Sequence, residues 1–100
     1  MSSAIGSRNL AKLWQRFGVV YAGDQKSIGT SGVTFVIIRE DILDRLQATP
    51  SRIPIPAPLD WNRQTIKDSF LNTPSVLSIY TSQLICEHML TMGGITWFEK

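Results

Sequence analysis

"FGVVYAGDQKSIGTSGVTFVIIRE", residues 17–40, contains two apolar runs joined by a turn that is rich in glycine and carries one lysine. The first run, Phe17–Gly23, is β-branched and aromatic and closes with glycine, which is typical of a buried strand. The second run, Val33–Glu40, is almost continuously apolar, so we expect a strand that is covered on both faces. About ten residues join the runs, fewer than a parallel crossover needs, and an antiparallel pair is therefore predicted.

Lys26 lies in the turn between these strands, and the residues alone allow two interpretations of it. In the first, Lys26 is a solvated loop charge, which is the usual role of such a lysine. In the second, the turn presents its amine to a ligand at one end of the sheet. A nucleotide-binding phosphate loop is excluded, because Gly29 and Gly32 follow the lysine instead of preceding it and lead into a strand.

Beyond the second strand, the sequence predicts a short helix and then an irregular, proline-rich strap. The segment "EDILDRLQ" places Ile42, Leu43 and Leu46 on one face of the helix. The strap, residues 49–61, contains four prolines, which exclude both a helix and a central strand.

A long helix is predicted near the end of the chain. We expect Asn72 and Thr73 as its capping residues, Pro74 at its first helical position, and a stop at Gly93 and Gly94. A helix with so broad an apolar face is expected to be buried against more than one neighbour. The residues of that face are Val76, Leu77, Ile79, Tyr80, Leu84, Ile85, Met89 and Leu90.

The composition fits one small domain or a part of a larger one. Of the 100 residues, 43% are hydrophobic, and ten basic against eight acidic residues give a net charge of +2. Without a block of like charges, nucleic-acid binding is not expected. No apolar run is long enough for a signal peptide or a membrane span, so we expect a cytoplasmic protein without membrane contact.

Cys86 is the only cysteine. An internal disulfide is therefore excluded, which fits a reducing compartment. Cys86 and His88 have no further partners at metal-binding spacing, and since a zinc site needs about four ligands, no metal is expected. The predicted strands, helices and strap are few for an independent fold, so the sequence predicts a part of a larger α/β domain.

A resemblance to a known family shifts the balance between the two interpretations of Lys26. The segment "FGVVYAGDQKSIGTSGVTFVIIREDIL" resembles the cofactor-lysine region of the phosphoserine aminotransferase family, which consists of pyridoxal-phosphate enzymes of fold type I. The segment "SFLNTPSVLSIYTSQLICEHMLTMGGITWFEK" resembles the continuation of that family, and "MSSAIGSR" resembles the stretch after the family's aspartate. The resemblance runs through the whole chain and implies that residues 1–100 form part of the large cofactor-binding domain.

The resemblance also implies a cofactor site. Lys26 corresponds to the lysine that forms a Schiff base with pyridoxal phosphate, and Gln25 to a glutamine that donates to the cofactor phosphate. Asn72 and Thr73 correspond to a pair that holds this phosphate from the second subunit of a homodimer. The chemistry agrees, since only a primary amine forms an exchangeable imine and a helix N-terminus favours an anion.

The activity that the resemblance implies is amino transfer between glutamate and 3-phosphohydroxypyruvate in serine biosynthesis, giving phosphoserine and 2-oxoglutarate. Two alternatives stay open: a non-catalytic remnant that only packs or pairs with a full-length subunit, and a transaminase of other specificity. The family's aspartate for the pyridinium nitrogen belongs before Met1, and its substrate-binding residues lie outside these 100 residues. We therefore expect the isolated chain to be poorly folded and inactive.

Two residues beside the lysine depart from the family pattern. Asp24 stands where the family has alanine, and Ser27 where it has asparagine. A carboxylate next to Lys26 favours the charged amine and repels the cofactor phosphate unless it points away. The direction of the Asp24 side chain is therefore important for the predicted site.

Overall fold

Two strands and five α-helices form within residues 3–99, the part of the chain that a computed structural model describes. The first two residues of "MSSAIGSR" lie outside that part. The described residues divide into two units, one from the start to Ile37 together with the residues from Ser75 onward, the other over Ile38–Pro74. The elements are α1 (Ala11–Trp14), β1 (Val19–Gly23), β2 (Thr34–Ile38), α2 (Glu40–Ala48), a 3-10 turn (Ala57–Leu59), α3 (Trp61–Ile66), α4 (Val76–Thr91) and α5 (Ile95–Phe98).

The two strands form an antiparallel pair, as predicted. They are neighbours in one sheet, and the N–H of Asp24, just after β1, donates to the carbonyl of Val33, just before β2, at 3.1 Å. Since the end of one strand meets the start of the other, the strands run in opposite directions. In β1, Val20 and Ala22 are buried and Tyr21 between them is exposed, which is the alternation of a strand with one covered face.

Strand β2 is less covered than its sequence predicts. Phe35 is half-buried and borders a small cavity with Ile79 and Cys86 of α4, but Val36 and Ile37 are exposed. The prediction that both faces are covered is therefore wrong for this chain. One helix beside a two-stranded sheet leaves much of the second strand open to solvent.

The unit over Ile38–Pro74 contains α2, the strap and α3. In α2, Ile42, Leu43 and Leu46 are half-buried while the charged side chains are exposed, which confirms the predicted helix face. Residues 49–56 of the strap form neither helix nor strand, as their prolines require. The exclusion of a helix is wrong for the end of the strap, where Ala57–Leu59 form a 3-10 turn and Trp61 begins α3.

Helix α3 is missing from the sequence-based prediction. Asp60 is its N-cap: the carboxylate Oδ1 accepts from the N–H groups of Asn62, at 3.0 Å, and Arg63, at 3.4 Å. A side-chain oxygen that accepts from these first helical N–H groups replaces bonds that the helix cannot supply. An aspartate directly after a proline-rich run was the signal for this helix.

Helix α4 begins later than predicted. Ser75, instead of Asn72 or Thr73, is its N-cap, and Pro74 precedes the helix. The carbonyl of Ser75 accepts the first helical hydrogen bond, at 3.0 Å, and its hydroxyl donates to Ser78 Oγ at 2.9 Å. The error has a physical origin, because the fixed φ of proline fits an extended segment as well as a first helical turn.

The end of α4 lies where the two glycines predict it. The N–H of Gly94 donates to the carbonyl of Met89 at 2.8 Å, and that of Gly93 donates to Leu90 at 3.2 Å. These are the two bonds of a Schellman motif. Gly93 has a φ of +106°, which a residue with a side chain rarely adopts, so glycine is required there.

The buried face of α4 differs from the prediction. Its buried residues are Ser78, Ser82 and Met89, whereas Leu77 is 76% exposed and Leu90 is 75% exposed. The expectation that the broad apolar face is buried against more than one neighbour is therefore wrong within this chain. The N-terminal half of α4 contacts a glycine-rich turn instead, and the close approach leaves room only for small side chains.

Three general features follow from the residues that the structure describes. No helix within 3–99 is both long enough and apolar enough to cross a membrane. Over the same residues, no three His, Cys, Asp or Glu side chains are grouped so that they could hold a metal ion. Cys86 is a free thiol and is exposed.

Candidate functional site: the lysine turn

The turn that carries Lys26 is closed by its own backbone. The N–H of Gly29 donates to the carbonyl of Asp24 at 2.8 Å, and the N–H of Asp24 donates to the carbonyl of Val33, just before β2. Gln25 and Lys26 lie inside the closed loop, and both are exposed. The ends of the turn are thus fixed while these two side chains reach the surface. We call residues 24–32 the lysine turn.

Asp24 is directed into the protein. It is fully buried (0% exposed), and its Oδ2 accepts a hydrogen bond from Ser82 Oγ of α4 at 2.8 Å. Among the described ion pairs, none joins this carboxylate to Lys26. Asp24, where the family has alanine, therefore bonds to α4, and its carboxylate does not pair with the amine of Lys26 at the surface.

Two serines of α4, one helical turn apart, hold the lysine turn against the helix. Ser82 donates to the buried carboxylate, and Ser78 Oγ donates to the carbonyl of Ser31 at 2.9 Å. A Cβ added at Gly29 would lie 2.5 Å from Ser82 Oγ, and one at Gly32 would lie 2.6 Å from Ser78 Oγ. The short side chains of the helix and the glycines of the turn thus depend on one another.

Replacing Gly29 with alanine is expected to destabilise the protein by about 1–3 kcal/mol, because the added methyl group disrupts the hydrogen bond from Ser82 to Asp24. The methyl would also lie 3.1 Å from Asp24 Oδ2. Urea unfolding of the full-length polypeptide that carries this sequence measures the change. Thr30→Ala, at the exposed neighbouring residue, is the matched control and should leave stability within about 0.5 kcal/mol. Equal stabilities for the two variants would show that the turn is not tightly packed on α4.

Gln25 and Lys26 are the polar side chains that the lysine turn presents together. The Gln25 side chain folds back over Gly23, where an added Cβ would lie 2.1 Å from its Oε1. Within residues 3–99, no side-chain hydrogen bond or ion pair occupies the amide of Gln25 or the amine of Lys26. The turn therefore offers a primary amine next to a hydrogen-bond donor, which suits a ligand with an aldehyde and an anionic group.

Asn72 and Thr73 lie in the unit over Ile38–Pro74, whereas Gln25 and Lys26 belong to the other unit. Both residues are exposed, and neither side chain takes part in a hydrogen bond within the described part of the chain. The prediction that they cap α4 is wrong, so their polar groups are free for another partner.

Sequence reasoning missed Ser78 and Ser82, which appeared only as gaps in the apolar face of α4. A signal for them was present. The two serines are four residues apart, so they lie on one face of a helix, and Gly29 and Gly32 are three apart in the turn. Paired small residues on two segments indicate a close approach of their backbones.

Comparisons with known proteins relate the chain to one kind of enzyme. No protein-family model matches it. The chain is 39% identical over 102 residues to the phosphoserine aminotransferase of Pasteurella multocida, a match that covers 100% of this chain and 26% of the relative. It is 42% identical over 85 residues to the phosphoserine aminotransferase of Acinetobacter baumannii, covering 85% of this chain and 22% of the relative.

Solved structures give the same result. The crystal structure of pyridoxal-phosphate-bound phosphoserine aminotransferase from Trichomonas vaginalis matches 99% of this chain with a TM-score of 0.85 and 30% identity. The phosphoserine aminotransferase of Bacillus circulans subsp. alkalophilus matches 99% with a TM-score of 0.78 and 35% identity. In each case the match covers 26% of the solved chain, so the chain spans about a quarter of the length of these relatives.

The chain is therefore similar to part of an aminotransferase, and the predicted part of an α/β domain is confirmed. Within that class, the chain is similar in sequence and fold to a segment of the phosphoserine aminotransferases. These matches confirm the resemblance that the residues around Lys26 carry.

Proposed function

We propose that the chain is the lysine-bearing segment of a phosphoserine aminotransferase. The reaction is amino transfer between glutamate and 3-phosphohydroxypyruvate, which gives phosphoserine and 2-oxoglutarate in cytoplasmic serine biosynthesis. The observation that carries the proposal is the exposed Lys26 in a closed turn, in a chain similar to these enzymes throughout its length. Its cofactor is pyridoxal phosphate, which is bound in the Trichomonas vaginalis enzyme.

The residues of the lysine turn fit this cofactor. Pyridoxal phosphate supplies an aldehyde that links to an amine and a ring that withdraws electrons from the substrate carbon. Lys26 would hold the aldehyde carbon through its amine and, once freed by the substrate amine, would carry a proton between the substrate Cα and that carbon. Gln25 donates a hydrogen bond to the phosphate. The closed turn limits the positions of both side chains and so favours a productive arrangement.

Asn72 and Thr73 are proposed to hold the same phosphate from the second subunit of a homodimer. Their support is that both are exposed and that neither is committed to capping α4. An amide and a hydroxyl can each donate to a phosphate oxygen, and such charge-assisted bonds are stronger than neutral ones.

The exposed apolar residues support a place within a larger domain, with residues 1–100 as part of the large cofactor-binding domain. Leu77 and Val76 of α4, at 76% and 69% exposed, and Tyr21 of β1 are large side chains that a folded protein usually covers. We propose that other parts of the aminotransferase cover them.

The test is amino transfer by the full-length polypeptide that carries this sequence, purified with pyridoxal phosphate. We expect phosphoserine from glutamate and 3-phosphohydroxypyruvate, and much slower turnover of 2-oxo acids without a phosphate. Preference for another 2-oxo acid would indicate a transaminase of other specificity. No turnover, with cofactor added and the protein folded, would favour the non-catalytic remnant.

The isolated 100-residue chain is expected to be inactive in the same assay. A two-stranded sheet is marginal on its own, and the chain leaves large apolar side chains exposed. Circular dichroism measured alongside shows whether the chain is folded. Turnover by the isolated chain at the rate of the full-length polypeptide would contradict this expectation.

A further inference from the structure

We propose that Asp24 is a positioning residue, which sets the lysine turn by anchoring it to α4 through Ser82. The inference rests on the proposed role of Lys26 as the cofactor lysine. Asp24 touches neither the amine nor the reacting atoms, and it acts through the turn that carries Lys26.

The backbone and side chain of Asp24 join three elements. Its N–H donates to the carbonyl of Val33, just before β2, and its carbonyl accepts from the N–H of Gly29 across the turn. Its carboxylate accepts from Ser82 of α4 at 2.8 Å. One residue, two positions before Lys26, thus links strand, turn and helix.

The carboxylate depends strongly on Ser82. Asp24 is 0% exposed, and its Oδ1 has no hydrogen-bond partner within the described residues. Burying a charged or polar group without a partner is costly, whereas removing both members of a pair can be nearly neutral. Loss of the Ser82 hydroxyl alone should therefore cost more stability than loss of the hydroxyl and the carboxylate together.

A contact that only stabilises the fold and a contact that positions the lysine therefore predict different effects of the variants on Lys26. If the contact only stabilises the fold, the rate at which Lys26 reacts with the cofactor follows the stability of the variant. That rate then recovers when both the hydroxyl and the carboxylate are removed. If the contact anchors the turn, every variant without the anchor leaves Lys26 less well placed, including one whose stability has recovered. A misplaced amine reacts more slowly because fewer of its conformations are productive.

The experiment compares Asp24→Ala, Ser82→Ala and the double variant in the full-length polypeptide. The rate at which pyridoxal phosphate becomes fixed on Lys26 is followed by borohydride trapping and peptide mapping, below the unfolding midpoint of each variant. We expect this rate to fall about tenfold in all three. The urea midpoint should be lowest for Ser82→Ala and should recover in the double variant.

A matched control lies next to Ser82 on the same helix. Thr81 Oγ1 donates to the carbonyl of Leu77, within its own helix, at 2.9 Å. Thr81→Ala should therefore leave the rate of cofactor fixation on Lys26 unchanged. If Ser82→Ala does not fold, Asp24→Ala and the double variant still give the comparison of rate with stability.

Two results would overturn the proposal. One is that the rate of cofactor fixation on Lys26 is unchanged in every variant. The other is that this rate recovers in the double variant together with stability. Hydrogen exchange at the Gly29 amide, measured without cofactor, separates this proposal from the proposed function. Exchange should be about tenfold faster without the anchor. If the unmodified protein fixes no cofactor on Lys26, the proposed function fails, and unchanged exchange would overturn the anchor itself.

Discussion

Replacement of Lys26 by alanine is expected to abolish covalent attachment of pyridoxal phosphate to the full-length polypeptide. Lys26 is the one lysine of the turn, and its amine is exposed without an ion pair among the described residues. Because only a primary amine can form the link, no other side chain of the turn can replace it. The visible absorbance of the bound cofactor should disappear, and amino transfer should fall by several orders of magnitude.

Borohydride reduction and peptide mapping test the position of the link. The label should lie on Lys26 alone, and Lys67→Ala, a change at an exposed lysine of the other unit, is the matched control that should keep full labelling. A label found on Lys12, Lys67 or Lys100 in the unmodified protein would contradict the assignment.

The combined substitution of Asn72 and Thr73 by alanine is expected to lower cofactor affinity by roughly tenfold or more for each lost bond to the phosphate. Since neither residue caps α4, the stability of the cofactor-free protein should change by less than about 0.5 kcal/mol. Equilibrium dialysis and urea unfolding measure the two quantities. Thr65→Ala is the matched control, because the Thr65 hydroxyl donates to the carbonyl of Trp61 within its own helix.

Mixing of subunits tests whether the phosphate is held across the dimer. Lys26→Ala subunits keep Asn72 and Thr73, and the double variant keeps Lys26. If each site takes its lysine from one subunit and its phosphate ligands from the other, every heterodimer has one intact site. At a cofactor concentration too low to load the Asn72 and Thr73 variant, about a quarter of the unmodified activity should then return on random mixing of the two proteins.

The outcome depends on proof that heterodimers form, which differently tagged subunits provide. If tagged heterodimers are isolated and remain inactive, Asn72 and Thr73 act in the site of their own subunit or not at all. If the Asn72 and Thr73 variant is fully active by itself, the proposal that these two residues hold the phosphate is wrong.

Local signals were sufficient to predict much of the fold. The β-branched runs around the turn predicted β1 and β2, and the short loop between them predicted their antiparallel pairing. Prolines excluded regular structure over residues 49–56 of the strap, and Gly93 determined the end of α4, because backbone restrictions of these residues act without help from distant neighbours. Helix α3 was predictable as well from Asp60, whose side chain caps it.

Contacts between distant segments were beyond the sequence pattern. The apolar periodicity of α4 indicated which residues avoid water in a complete core, but two of the three buried residues of this helix, Ser78 and Ser82, are polar. The lysine turn, 47 to 58 positions earlier in the chain, selects them because its glycines approach the helix closely. The direction of Asp24 depends on the same contact, so it too could not be read from its neighbours in sequence.

The bond between Asp24 and Ser82 has a consequence for the order in which the two residues arose. If alanine preceded Asp24, an early aspartate without Ser82 would have placed an unpaired charge in the interior. If Ser82 arose first, its hydroxyl could instead bond to a carbonyl of its own helix, with little loss of stability. We expect ancestral reconstruction to find Ser82 older than Asp24, and the two positions to covary among relatives.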